Sequence, residues 1–189
     1  MRIIAGKLKG MTLYLPKNKN TRPLKDRARE SIFNLLLHSN KISFKFEKSN
    51  ILDLYAGTGS FGLECLSRQS SKVCFIEKEE EAIKILEKNI EKLKLKKKTN
   101  IFFNDVFNLI QKENLFESKF DLIFCDPPFK NTIMKKLIKL IFEKKLLRES
   151  GIVIFHRNKS SEENLPNYFE LIEERIYGLS KITFGKLLS

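Results

Sequence analysis

The sequence predicts an α/β fold: a mostly parallel sheet wound with helices and finished by an antiparallel hairpin. Two observations predict it. From residue 50 onward, apolar runs of strand length alternate with segments whose apolar residues recur at helical spacing. At the far end, two β-type runs follow each other around a glycine with no helical segment between them. The first pattern is that of a doubly wound, Rossmann-like sheet, and the second adds antiparallel strands at its edge, for seven strands in all.

In chain order, "RIIAG" and "MTLYLP" are β-type runs joined across "KLKG" and predict a small hairpin. Residues 1–20 are therefore expected to form an extension, and residues 21–189 the main domain. In "LKDRARESIFNLLL", Ala28, Ile32, Leu35 and Leu36 mark one face of a helix. "NILDLY" is a strand and "SFGLECLSR" a helix. "KVCFIE" is a strand, and Ile83, Leu86, Ile90 and Leu93 mark the helix after it. "NIFFND" is a strand followed by a short helix near 106–113. "FDLIFC" is the fourth strand, with Ile133, Leu137, Leu140 and Ile141 on the next helix, and "GIVIFHR" is the fifth. "YFELIEERIYG" and "SKITFGKLL" form the closing hairpin.

The 189 residues are about one domain, and a 42% hydrophobic content with 16 Phe supplies a sizeable core. No apolar stretch is long enough for a membrane span, and the start shows no signal-peptide pattern. Three scattered cysteines and two histidines make neither a disulfide framework nor a zinc pattern, so a reducing cytoplasm and no metal are expected. Lys+Arg number 36 against 23 Asp+Glu, a net charge of +13 that favours a polyanionic partner, nucleic acid first. The Lys92–Lys98 run reads as solvated surface.

In such a fold, ligands sit at the carboxyl ends of the strands. After the first strand comes "DLYAGTGSFG", in which Gly57, Gly59 and Gly62 match a dinucleotide fingerprint. Asp53 argues against a dinucleotide, because a carboxylate beside a pyrophosphate repels it. S-adenosylmethionine presents an ammonium and a sulfonium, and a carboxylate suits both. Ala56, Gly57 and Gly59 would then let the backbone pass close to that cofactor. Glu77 ends the second strand, twenty residues after Gly57, where a carboxylate accepts both ribose hydroxyls, with Lys78 next to it. Asp105 ends the third strand and suits an adenine amino group, with Val106 or Phe107 against the ring.

The fourth strand ends in "DPPF". Pro127 and Pro128 fix their own backbone and push their predecessors toward extended conformations. Asp126 and the Pro127 carbonyl become two rigidly held acceptors, which suit an NH₂ group with two hydrogens. Phe129 offers a ring to stack on, worth roughly 1–3 kcal/mol per base. The tetrad thus grips the exocyclic amine of a nucleobase, frees its nitrogen lone pair and holds it for methyl transfer by positioning and fixed acceptors. A paired base must first be flipped out.

With these residues in view, the chain resembles the RsmD family of bacterial methyltransferases, which methylate guanine N2 in small-subunit (16S) ribosomal RNA. "RIIAGKLKG" with "TRPLKDRARESIFNLL", "LDLYAGTGSFGLECLSR", "DPPF" and "YGLSKITF" carry the resemblance over nearly the whole chain. The resemblance implies that Thr21, Arg22 and Pro23 cover the methionine end of the cofactor. It also implies that Asp26, Arg27 and Arg29 line the site or the RNA. Arg2, Lys7 and Lys9 of the hairpin, cations with no role in the cofactor fold, are expected to contact RNA. A monomer is expected, with ribosomal RNA or the small subunit as partner. Three other readings remain: a DNA adenine-N6 methyltransferase, a nucleotide-dependent dehydrogenase, and a non-catalytic RNA-binding assembly factor. The first normally needs a recognition domain for which 189 residues leave no room. Asp53 and Asp126 count against the second, and the intact acids against the third.

Overall fold

The computed structural model describes residues 1–16, 26–112, 115–128, 133–161 and 164–188. Thr21, Arg22, Pro23 and Phe129 lie outside the described residues. The strands are β1 (Asn50–Leu54), β2 (Lys72–Glu77), β3 (Thr99–Phe103), β4 (Phe120–Cys125), β5 (Leu147–Asn158), β6 (Phe169–Tyr177) and β7 (Ser180–Leu187). The helices are α1 (Asp26–His38), α2 (Ser60–Ser67), α3 (Glu80–Lys92), α4 (Val106–Ile110) and α5 (Ile133–Glu143), with a 3-10 turn at Lys96–Lys98. The strands form one sheet in the order β3-β2-β1-β4-β5-β7-β6. The pairs among β1 to β5 are parallel, and β5–β7 and β6–β7 are antiparallel. This is a seven-stranded, mostly parallel α/β sheet with an antiparallel ending, as the strand–helix alternation and the closing hairpin predict.

Because side chains alternate along a strand, each strand feeds two cores. Ile51, Val73, Phe75, Leu122, Phe124, Ile152, Ile154, Ile182 and Phe184 join one core with Ile32 and Phe33 of α1, Phe61 of α2 and Leu86 of α3. Leu52, Leu54, Ile76, Ile123, Cys125, Val153 and Phe155 join the other with α4 and α5. Phe61 stacks on Phe124 with ring centroids 3.9 Å apart, and on Phe33 at 5.1 Å, so α1, α2 and β4 lock together. Gly62 lets α2 lie directly on β2: a Cβ there would come within 2.4 Å of the Phe75 ring. The predicted faces of α3 and α5 are buried except Ile133, which is half-buried; on α1, Phe33 is buried where Leu35 was expected.

The N-terminal hairpin is reduced to a single antiparallel bridge, Arg2 with Thr12, and three flanking backbone hydrogen bonds. Rather than standing apart, the segment is fastened to the main body. Glu64 of α2, wholly buried, accepts from Ile4 N (2.7 Å), Ala5 N (3.0 Å) and Arg68 Nε (2.9 Å). Asn89 of α3 accepts from Tyr14 N (2.7 Å) and donates to Tyr14 O and Thr58 O. Ile3 and Leu13 join the first core. The extension is stabilised by α2 and α3 rather than by its own strand pairing.

Candidate active site

The strand order places the switch point between β1 and β4, where the chain's course reverses and where open α/β sheets bind ligands at the carboxyl ends of their strands. Period-two alternation then decides which end residues meet. Asp53 shares a face with Ile51, Glu77 with Phe75, and Asp126 with Phe124. All three carboxylates therefore point to the α1–α2–α3 side of the sheet, on three neighbouring strands.

Asp53 is 1% exposed and accepts from Gly62 N at 3.0 Å. Burial pushes its carboxyl well above the usual carboxylate range; the Gly62 N–H pulls the other way, and the charges of Asp126 and Glu77 push it further up. Three carboxyl groups on neighbouring strands, with the charged form of Asp53 disfavoured by burial and by its acidic neighbours, favour a cationic ligand that would offset their repulsion. Glu77 is the hub of the loop. Its Oε2 accepts from Gly57 N (2.7 Å), and its Oε1 from Lys78 N (2.7 Å) and Glu79 N (2.9 Å). A carboxylate has about four acceptor positions. Three are occupied, so the expectation that Glu77 takes both ribose hydroxyls is revised to one.

The loop between β1 and α2 is shaped by left-handed backbone. Tyr55 has φ 59°, Gly57 56° and Gly59 82°. Tyr55 is bulky, and such a residue in this region marks a conformation held by its surroundings. Ala56 N donates to Ile76 O, and Gly59 N to Ala56 O. A Cβ added at Gly57 meets no atom within 4 Å, whereas one at Gly59 would strike Leu86 at 2.3 Å. Gly59 is thus required by packing, and Gly57 faces open space. The residues present fit a cofactor with a cationic amino-acid end and a ribose: an open cradle at Gly57, mutually repelling carboxylates, and a spare acceptor on Glu77.

Asp105 caps α4, its Oδ1 accepting from Phe107 N at 2.9 Å and Asn108 N at 3.4 Å; Oδ2 lies 3.9 Å from Lys78 Nζ. Val106 is 2% exposed, so its side chain belongs to the second core and leaves little surface for an adenine ring; Phe107, half-buried, is better placed. On the elbow, Pro127 is buried and Pro128 exposed. Asp126 keeps 21% of its side chain exposed, and its Oδ1 lies 2.7 Å from Nδ1 of His156, whose Nε2 lies 2.9 Å from Ser180 Oγ. Neither His156 nor Ser180 was singled out from the sequence. The available signal was a histidine directly after the apolar run Ile152–Phe155 of β5.

Of the expected RNA contacts, Arg2, Lys7, Lys9 and Arg27 are exposed. Arg29 is a correction: it is 0% exposed, and its Nη2 donates to Arg2 O at 2.7 Å. Its guanidinium braces the N-terminal segment from inside and does not reach RNA. No group of three or more potential metal ligands occurs among the described residues, and none of their helices is long and apolar enough to cross a membrane.

Residues 1–186 match the family model described as Conserved hypothetical protein 95. Ribosomal RNA small subunit methyltransferase D of Haemophilus influenzae is 31% identical over 179 residues, covering 95% of this chain and 90% of that protein. The protein of the same name from Escherichia coli K12 is 29% identical over 182 residues, covering 94% and 85%. Among solved structures, the Haemophilus influenzae protein HI0767 superposes with a TM-score of 0.79 at 28% identity, covering 100% of this chain and 98% of that one. An RNA methyltransferase from Salinibacter ruber, solved with S-adenosyl-L-homocysteine, shares the fold at 12% identity (TM-score 0.66, covering 89% and 95%). With a match over residues 1–186 and relatives aligned almost end to end, the chain belongs to the Conserved hypothetical protein 95 family, the RsmD family that its motifs resemble.

Proposed function

We propose that this protein is an S-adenosylmethionine-dependent methyltransferase acting in the cytoplasm on the exocyclic N2 amine of a guanine in small-subunit ribosomal RNA. The observation that carries the reading is the meeting of Asp53, Glu77 and Asp126 on one sheet face, around the open cradle at Gly57. The bound cofactor supplies a methyl group on a cationic sulfur. The chain's own residues do the rest. Asp53 faces the cationic end, Glu77 offers one acceptor to the ribose, and Asp105 with Phe107 borders the adenine. Asp126, at the end of β4 beside the switch point, accepts from one hydrogen of the base amine; the Pro127 carbonyl, held by the elbow, accepts from the other. These acceptors face the positive charge that grows on nitrogen as the methyl moves, and they need no reorganisation at that moment. Phe129 stacks on the flipped base, with Pro128 completing the elbow. Thr21, Arg22 and Pro23 cover the methionine end. The exposed cations Arg2, Lys7, Lys9 and Arg27 engage the phosphate backbone.

The test is methyl transfer from labelled cofactor to small-subunit RNA, naked and assembled, from a strain lacking this gene. Digestion of the product to nucleosides should yield N2-methylguanosine. N6-methyladenosine, or no transfer to either substrate, would overturn the reading.

A further inference from the structure

Resting on the amine-grip reading of Asp126, we propose that His156, braced by Ser180, is a positioning residue. It fixes which carboxylate oxygen of Asp126 faces the base. Asp126 stands one step past the last β4–β5 pair, Cys125 with Phe155, so its neighbour across the ladder is His156. On β7, His156 pairs with Ile182, and Ser180 lies two residues away on the same face. The three side chains thus form a row across β4, β5 and β7, an arrangement that only the non-sequential strand order creates.

The chemistry of the row allows one assignment when the imidazole is neutral. An ionised carboxylate only accepts, so Nδ1 carries the proton and donates to Asp126 Oδ1 at 2.7 Å. Nε2 is then an acceptor, and the Ser180 hydroxyl donates to it at 2.9 Å. His156 is 5% exposed and Ser180 5%, on a sheet face whose other members here are Ile152, Ile154 and Ile182. A buried imidazole costs free energy unless it is hydrogen-bonded. This one gives its Nδ1 bond to the elbow residue that remains partly exposed. Left alone at a strand end, the Asp126 carboxylate would rotate and share both oxygens with water. With Oδ1 held, Oδ2 is the oxygen left for the amine, in one orientation. A supporting shell of this kind keeps an acceptor at the productive geometry.

The experiment compares His156→Ala, His156→Asn, His156→Gln, Ser180→Ala and Asp126→Ala. The readout is single-turnover methyl transfer to small-subunit RNA from the deletion strain, with cofactor affinity by calorimetry and melting temperature for each variant. An Asn amide nitrogen falls near the place of Nδ1, and a Gln amide nitrogen near that of Nε2. His156→Ala should slow transfer by about 10- to 100-fold, the range for losing an outer-shell partner, with cofactor affinity changed by less than about twofold. Asn should recover most of the rate and Gln should not. Combined with Asp126→Ala, loss of His156 should add nothing further. If Asp126→Ala transfers at the wild-type rate, the amine-grip reading itself fails. If Asp126→Ala is slow but His156→Ala is normal, the positioning role is overturned. If His156→Ala does not fold, the Asn and Gln variants decide, and equal rates overturn the proposal.

Discussion

Replacing Asp53 by Asn should make the cofactor-free protein more stable and a poor binder of S-adenosylmethionine. The side chain is 1% exposed and accepts one hydrogen bond, from Gly62 N at 3.0 Å. Asn has the same shape, and its Oδ1 keeps that bond while the buried charge disappears. Burial first, and then Asp126 and Glu77, hold the Asp53 carboxyl above its ordinary value near 3.8. The folded state therefore binds this proton more tightly than the unfolded chain does. Wild-type stability then falls as pH rises from the ordinary value through the raised one, and the Asn variant lacks this loss. Relieving a strained site residue is commonly worth about 0.5–2 kcal/mol. At about 2–4 °C per kcal/mol for a chain of this size, the melting temperature at neutral pH should rise by roughly 1–8 °C. The difference from wild type should vanish in acid. On the binding side, a hydrogen bond to a charged group is worth about 1.5–3 kcal/mol, which corresponds to about 10- to 150-fold in affinity. Thermal melts from acid to neutral pH and titration calorimetry measure both. An Asn variant that melts lower than wild type at neutral pH and binds cofactor normally would refute the argument and make Asp53 a structural anchor of Gly62.

Three further substitutions separate fold from site. Gly57→Ala places a Cβ in open space at φ 56°, so it should cost only about 1–2 kcal/mol of left-handed strain yet lower cofactor affinity at least tenfold by calorimetry. Gly59→Ala, which meets Leu86 at 2.3 Å, should lower the melting temperature much more. Glu64→Ala leaves Ile4 N, Ala5 N and Arg68 without their buried acceptor; it should cost about 3–5 kcal/mol and expose the N-terminal segment to limited proteolysis. Reversing the charges of Lys7 and Lys9, both exposed, should weaken RNA binding and flatten its salt dependence by up to about 1.5 log units per log unit of salt, with cofactor affinity unchanged.

Much of the site was legible because strand ends are legible. Apolar runs such as "KVCFIE" and "FDLIFC" locate their own termini, and Asp53, Glu77, Asp105 and Asp126 stand at or beside those termini. The rigidity of the Pro127–Pro128 elbow is likewise a local property. Roles that depend on a partner were read less well. Arg29 looks like any cation on the polar face of a helix, until the N-terminal segment folds over it and Arg2 O takes its Nη2. Glu77 promised two acceptors to a ribose, but the turn after β2 and the glycine loop already use three of its positions. Either Val106 or Phe107 suits an adenine ring by its place in the sequence, and only the packing of α4 separates them, burying Val106 and leaving Phe107 half-buried.

The sequence by itself determined the alternation of strands and helices, the antiparallel ending and the acids at the strand ends, because hydrophobic period and backbone chemistry act over a few residues. It did not contain the row of Asp126, His156 and Ser180. Those residues are 30 and 24 positions apart along the chain. They meet because β5 lies beside β4, and β7 enters the sheet between β5 and β6. That order is decided by which faces bury together, and by a hairpin that turns back into the sheet instead of extending it. Only the tertiary structure brings a histidine 2.7 Å from the carboxylate proposed to hold the base amine.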